Sequence, residues 1–190
     1  MKRTISGKGG LLMIAVMIMV IAVSLHPVAG WAGSPENSLP GDPGKFNGIW
    51  WGQYLGELKD MRFASYDSKN SGELYYVRPG DVLELGDVKL EYVLYGFWKG
   101  IYSSFVFGVK GSGDWKGLKR ICFENFESWH QPDRYVERYY WVGNHSAMTL
   151  EYNEAEDVGQ LYVYSKTIYE RQLAKERAWA GPQLRKGFWR

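Results

Sequence analysis

The chain of 190 residues has very little of what staples or metallates a small protein: one cysteine, Cys122, and three histidines. A lone thiol closes no internal disulfide, and no Cys-x-x-Cys or Cys/His metal spacing occurs. There is no Walker loop, no His-Glu-x-x-His, no nucleophile-elbow Gly-x-Ser-x-Gly and no dinucleotide fingerprint. No cofactor is therefore expected, although a triad dispersed along the chain would leave no such motif. A run long enough to cross a bilayer is also missing. Residues 11–23 are 13 unbroken apolar positions, where a spanning helix needs about 20.

That short run reads instead as the centre of an export signal. Lys2, Arg3 and Lys8 precede it, His26-Pro27 breaks it, and Ala29, Gly30 and Ala32 supply small residues. Cleavage is expected near Ala32, with Gly30 as the neighbouring choice and an uncleaved anchor through Leu25 as the alternative. The chain carries 23 Lys+Arg against 21 Asp+Glu; without the three basic residues of 1–32 the balance is 20 against 21, or −1. The electrostatic footprint of a nucleic-acid binder disappears with the leader. Export without disulfides suits a bacterial periplasm or a secreted bacterial protein.

What remains is rich in rings, 16% of the chain. Residues 33–45, dense in proline and glycine, read as a linker, 46–165 as an α+β domain and 166–190 as a C-terminal helix and tail. Tyr54, Leu55, Leu58 and Met61 follow helical spacing, which predicts a short helix over 53–60. Two strand candidates flank a turn at 68–72. Alternation from Val88 to Trp98 and from Ile101 to Val109, around Lys99-Gly100, predicts a hairpin. Its expected register sets Trp98 opposite Ile101 and Leu94 opposite Phe105, with Val93, Tyr95, Phe97 and Tyr102 on the other face under a covering helix. That helix is placed over 115–128 with Asp114 as N-cap and a buried stripe of Leu118, Ile121 and Cys122. A three-strand meander follows, turning at Gly143-Asn144, with Tyr139, Trp141, Met148, Leu150 and Tyr152 on one face. A polar helix over 167–180 ends at Gly181-Pro182. The order implies α+β with a largely antiparallel sheet of about seven strands, two packing helices and a C-terminal helix. Helix-then-meander occurs twice, so an internal duplication is one reading.

The opening Gly48-Ile49-Trp50-Trp51-Gly52, the later Trp…Leu-Lys helix and the Leu-Glu-Tyr…Gly-x-Leu-x-Tyr-x-Ser block resemble uncharacterised small exported bacterial proteins that open with Gly-Ile-x-Trp-Gly. Those proteins often end the second helix with Phe-Gly-x-Pro; here 128–132 reads Ser-Trp-His-Gln-Pro. The resemblance spans 46–165 and implies a periplasmic α+β domain without a known activity.

Chemistry is sparse. His130 with Asp133 or Glu127 is the candidate for a small periplasmic hydrolase, a histidine beside carboxylates being able to act as a base. His145 follows a turn. Glu151, Glu154, Glu156 and Asp157 offer hard oxygens but match no calcium loop, so no metal is assigned. Cys122 falls in an apolar stripe and reads as inert. The leading expectation is a non-catalytic protein that binds a protein, peptide or glycan partner through an aromatic sheet face, with Tyr95, Phe97 and Tyr102 as exposed rings on it; a sheet packed on both faces, with these rings under the helix, is the alternative. The basic, aromatic tail 183–190 is the one candidate for membrane contact.

Overall fold

A computed structural model describes residues 42–67, 72–126 and 128–186, with side chains as far as residue 178. The fold is α+β. A strap carries two dipeptide strands, β1 (Lys45–Phe46) and β2 (Ile49–Trp50), then one 3-10 turn at Leu55–Glu57. Next come β3 (Arg62–Asp67), β4 (Glu73–Val77), the small hairpin β5 (Glu84–Leu85) and β6 (Val88–Lys89), β7 (Tyr92–Trp98) and β8 (Ile101–Lys110). Helix α1 (Ser112–Asn125) leads to β9 (Arg138–Val142), β10 (Ser146–Asn153), β11 (Val158–Ser165) and α2 (Lys166–Lys186). Seven strands make one antiparallel sheet in the order β3-β4-β7-β8-β11-β10-β9.

The expected helix over 53–60 is a correction. Gly52 and Gly56 weaken it, and the backbone is claimed elsewhere. The Gly52 N–H bonds the Tyr102 carbonyl, the Tyr102 N–H bonds that of Gln53, and Leu55 bonds Gly100. The strap is thus stitched to the β7–β8 turn, and a duplicated helix-plus-meander loses its first helix. The other end of the strap is fastened by Asp42. Its carboxylate accepts the His145 N–H at 2.7 Å, the Ser146 N–H at 3.0 Å and the Ser146 hydroxyl, so packing begins inside the segment read as linker.

The hairpin turn is where the alternation placed it: Lys99 and Gly100 have φ of 52° and 79°, as a two-residue turn with the right twist requires. Trp98 faces Ile101 as expected. The rest of the register is a correction. A bulge beside Gly96 makes Ser103 the extra residue, so Leu94 meets Val106, Tyr95 meets Phe105 and Val93 meets Phe107. One inserted residue exchanges the faces beyond it.

One face, built on Val93, Tyr95, Phe97, Tyr102, Phe105, Phe107 and Val109, continues through Leu161, Val163, Met148, Leu150, Tyr139 and Trp141 as the main core. The strap covers part of it: Phe46 stacks on Phe105 at 4.4 Å and Trp51 on Tyr102 at 4.9 Å. Helix α1 covers the remainder through buried Trp115, Leu118 and Cys122. That helix starts three residues earlier than expected, after Gly111. Asp114 is not its cap; it lies in the first turn, favourable for an acid, and accepts the Lys89 N–H. The second face holds Tyr75, Leu94 and Val106, with Tyr92 and Tyr162 against them. Helix α2 follows β11 without a break and sets Tyr169 against Tyr164 and Lys175 over Trp98. It runs past Gly181-Pro182 to Lys186 rather than stopping there. A proline in that last turn removes one backbone donor. The tail proposed for membrane contact falls outside the described side chains.

Candidate functional site

Tyr95, Phe97 and Tyr102 are all 0% exposed, which corrects their assignment as an exposed binding patch. The bulge at Ser103 is the reason: it leaves these three on one face but brings Phe105 and Phe107 round to join them, which makes theirs the packed face under the strap and α1. Tyr95 keeps its hydroxyl satisfied by donating to Asp81 at 2.6 Å and accepting from Asn47 at 2.8 Å. Burial pushes its pKa up to about 12. The Tyr102 hydroxyl is buried without a partner.

Of the hydrolase candidates, Asp133 lines a hollow of about 220 Å³ beside Arg138 and Tyr140. His130 is exposed and its backbone pairs with Tyr140, both N–H···O bonds being 2.9 Å. The Asp133 carboxylate accepts the Tyr135 N–H at 2.9 Å and so holds its own turn. Glu127 lies outside the described residues. His145 is exposed, its amide held by Asp42. Of the acidic cluster, Glu151 leaves the turn entirely and joins the second face, where it accepts from Arg138 at 2.9 Å. Among the described residues no group of three or more His, Cys, Asp or Glu could hold a metal. Burial raises the Cys122 thiol to about 12, so it is no nucleophile at neutral pH.

Two features of the second face were not foreseen. The first is a buried acid. Glu73, 2% exposed, opens β4, and its side chain reaches across β7 to the β8 bulge. Ser104 donates to its Oε1 at 2.9 Å, Tyr75 to its Oε2 at 2.8 Å, and Ser103 Oγ lies hard against Oε1. Gly96 makes the room, since a Cβ there would sit 2.0 Å from Ser104 Oγ and 2.8 Å from Glu73 Oε1. Burial holds the Glu73 carboxyl above its usual range, against the hydroxyls and with help from nearby Asp67. Hydrogen-bond counting favours the neutral form as well. Ser103 has one proton, yet its oxygen touches both Glu73 and the Gly96 carbonyl at 3.1 Å. If Glu73 is neutral it donates to Ser103, Ser103 donates to Gly96, and no acceptors are left facing each other.

The second feature is a pair of rows across the strands. Strand alternation puts Arg138, Glu151, Gln160 and, beyond Gly108, Tyr92 in one row. Tyr140, Thr149 and Tyr162 form the next. All seven are half-buried, neither core nor free surface. A hollow of about 260 Å³ lined by Val77, Arg78, Asp81, Glu91 and Tyr92 adjoins one end. Another of about 220 Å³, lined by Pro132, Asp133, Val136, Arg138 and Tyr140, adjoins the other. Helix α2 meets the neighbouring row at Tyr164 and reaches Trp98 on β7. The one charged pair on the rows, Arg138–Glu151, is internally neutralised. The alternation of β9 to β11 was readable in the sequence; the alignment of its outward residues with Tyr92 was not, because only the sheet order sets it.

No family model, no curated protein and no solved structure matches the chain.

Proposed function

We propose that this is an exported, non-catalytic binding protein that holds a neutral saccharide chain along the two half-buried rows of the second face. The single observation carrying this reading is the continuous path Arg138–Glu151–Gln160–Gly108–Tyr92 between two hollows, flanked by Tyr140, Thr149 and Tyr162. From β9 to β7 it crosses four strand spacings, about 19 Å, which favours an extended ligand over a compact one. Rings with adjacent amide, hydroxyl and paired charged groups suit a polar ligand that presents flat apolar faces. The neutralised Arg138–Glu151 pair favours an uncharged chain over an acidic or basic peptide. Export is supported by the basic start, the 13-residue apolar run and the small residues near Ala32; among the described residues no helix is long and apolar enough to cross a membrane.

Amide NMR during titration with neutral N-acetylglucosamine oligomers tests the binding role. Shifts confined to β9, β10, β11 and Tyr92, lost in Tyr140→Ala and Gln160→Ala, are the expected result. Shifts confined to α1 and the strap, or none at millimolar sugar, would sink it. Mass spectrometry of the protein from envelope fractions tests export, with a new N-terminus near residue 33 expected and an intact Met1 counting against it.

A further inference from the structure

Strand β3 forms one edge of the sheet, and among the described residues nothing pairs with its outer side. Its rings Phe63 and Tyr66 are 59% and 58% exposed. In a regular strand, residues three apart point to opposite faces. Here the bulge between Phe63 and Ser65 removes one step of the alternation. Phe63 stands opposite Tyr76, and Tyr66 opposite Leu74, which in turn pairs with Phe97. Both rings therefore sit on the face that α1 and the strap cover. The same shift puts Arg62, opposite Val77, and Asp67, opposite Glu73, together on the second face. Read backwards, Arg-Phe-Ala-Ser-Tyr-Asp becomes its own complement: base against acid, ring against ring, small against small.

We propose that β3 is a self-association edge, on which a second copy of the chain lays its own β3 antiparallel with Phe63 opposite Tyr66 and Arg62 opposite Asp67. A twofold axis normal to the sheet keeps each face on its own side, so residues placed opposite one another must share a face. A regular strand fails that condition in this register, and the bulged strand meets it. Two ring pairs and two charge pairs then form across the axis, and the open edge groups of both copies gain partners. Arg62 is exposed and makes no ion pair among the described residues. In the pairing it stands opposite Asp67 of the second copy. Bulges and charges also serve monomers as protection of an edge, which makes a strictly monomeric protein the opposing outcome.

Sedimentation equilibrium of the purified protein up to high micromolar concentration decides between them. The expected result is a monomer–dimer equilibrium that Phe63→Lys and Tyr66→Lys each abolish, that Arg62→Asp weakens several-fold, and that Val142→Lys on the opposite edge leaves unchanged. Both rings and Arg62 are exposed, so the variants should fold, and near-UV circular dichroism verifies this. A monomer at every concentration overturns the proposal, as does a dimer lost only with Val142→Lys or indifferent to all four substitutions.

Discussion

The two faces of the sheet solve burial in opposite ways. The strap-and-α1 face is filled with rings that touch one another: Phe123 meets Tyr139 edge-on at 5.0 Å, Trp115 stacks on Tyr152 at 5.0 Å, and Trp141 is fully enclosed. The second face is assembled from hydroxyls and acids around Glu73, with apolar Leu94 and Val106 between them. Dry ring packing draws on area, roughly 25 cal/mol per Å² removed from water. A buried polar set draws on complete pairing, and any missing partner costs more than the bond contributes. The first face should therefore be sensitive to volume and the second to protonation and hydrogen-bond count.

The sharpest way to break this contrast is on the ring face. Phe97→Ala or Trp141→Ala should each cost about 3–5 kcal/mol in urea unfolding. Losses under about 1 kcal/mol would mean that the face is not close-packed. On the second face, Gly96→Ala drives a methyl into Ser104 and Glu73 and should cost about 1–3 kcal/mol.

Next comes pH. Glu73 has a raised pKa when folded, so the unfolded chain loses that proton first. Stability should be unaffected by Glu73 below the unfolded carboxylate range and fall as pH rises from there toward the folded value. Glu73→Gln should flatten that decline in a series of thermal melts. The acid beside the ring face behaves oppositely. Glu137 is held below its usual value because Lys119, 2.7 Å away, and Tyr139 outweigh its modest burial. Its contribution is present above the unfolded pKa and lost as pH falls through the folded one. The pair is partly solvated, so a double-mutant cycle on Lys119 and Glu137 should return only about 0.2–1 kcal/mol.

The smallest effect sharpens the picture most. Tyr102 lies on the ring face with an unpartnered hydroxyl. Tyr102→Phe removes a buried polar atom without removing a bond, and should be neutral or stabilising by up to about 1 kcal/mol. A clear loss of stability would reveal a partner for that oxygen.

The sequence made the α+β class, the antiparallel sheet and most strands legible, and two hairpins show where legibility stops. At β7–β8 the turn was located correctly, yet the faces came out exchanged beyond Gly96, because Ser103 adds one residue to one strand. At β9–β10 the expected Gly143-Asn144 turn is displaced to Asn144-His145, with the Gly143 N–H bonding the Ser146 carbonyl. Yet Tyr139, Trp141, Met148 and Leu150 share one face as expected, in the pairs Trp141–Met148 and Tyr139–Leu150. Moving a two-residue turn by one position changes the register by two, and alternation has a period of two, so the face is preserved. A single bulge changes it by one. Periodicity survives the first error and is defeated by the second. The candidate site suffered for the same reason: the bulge brings Phe105, Phe107 and Val109 round to the face of Tyr95, Phe97 and Tyr102 and so makes it the buried one. Glu73 left no signal of its own, since an acid opening a strand after Gly72 reads as an ordinary turn residue.

The clasp made by Asp42 bears on how the chain comes together. Its partners at His145 and Ser146 lie 103 and 104 positions downstream. During synthesis the earliest part of the domain emerges first, but its anchoring point is still inside the ribosome until β10 has been made. The belt over Phe105 and Tyr102 can rest in place before then but cannot be buckled. Final closure of the domain is thus tied to the synthesis of β10, a non-local step of the kind that slows folding.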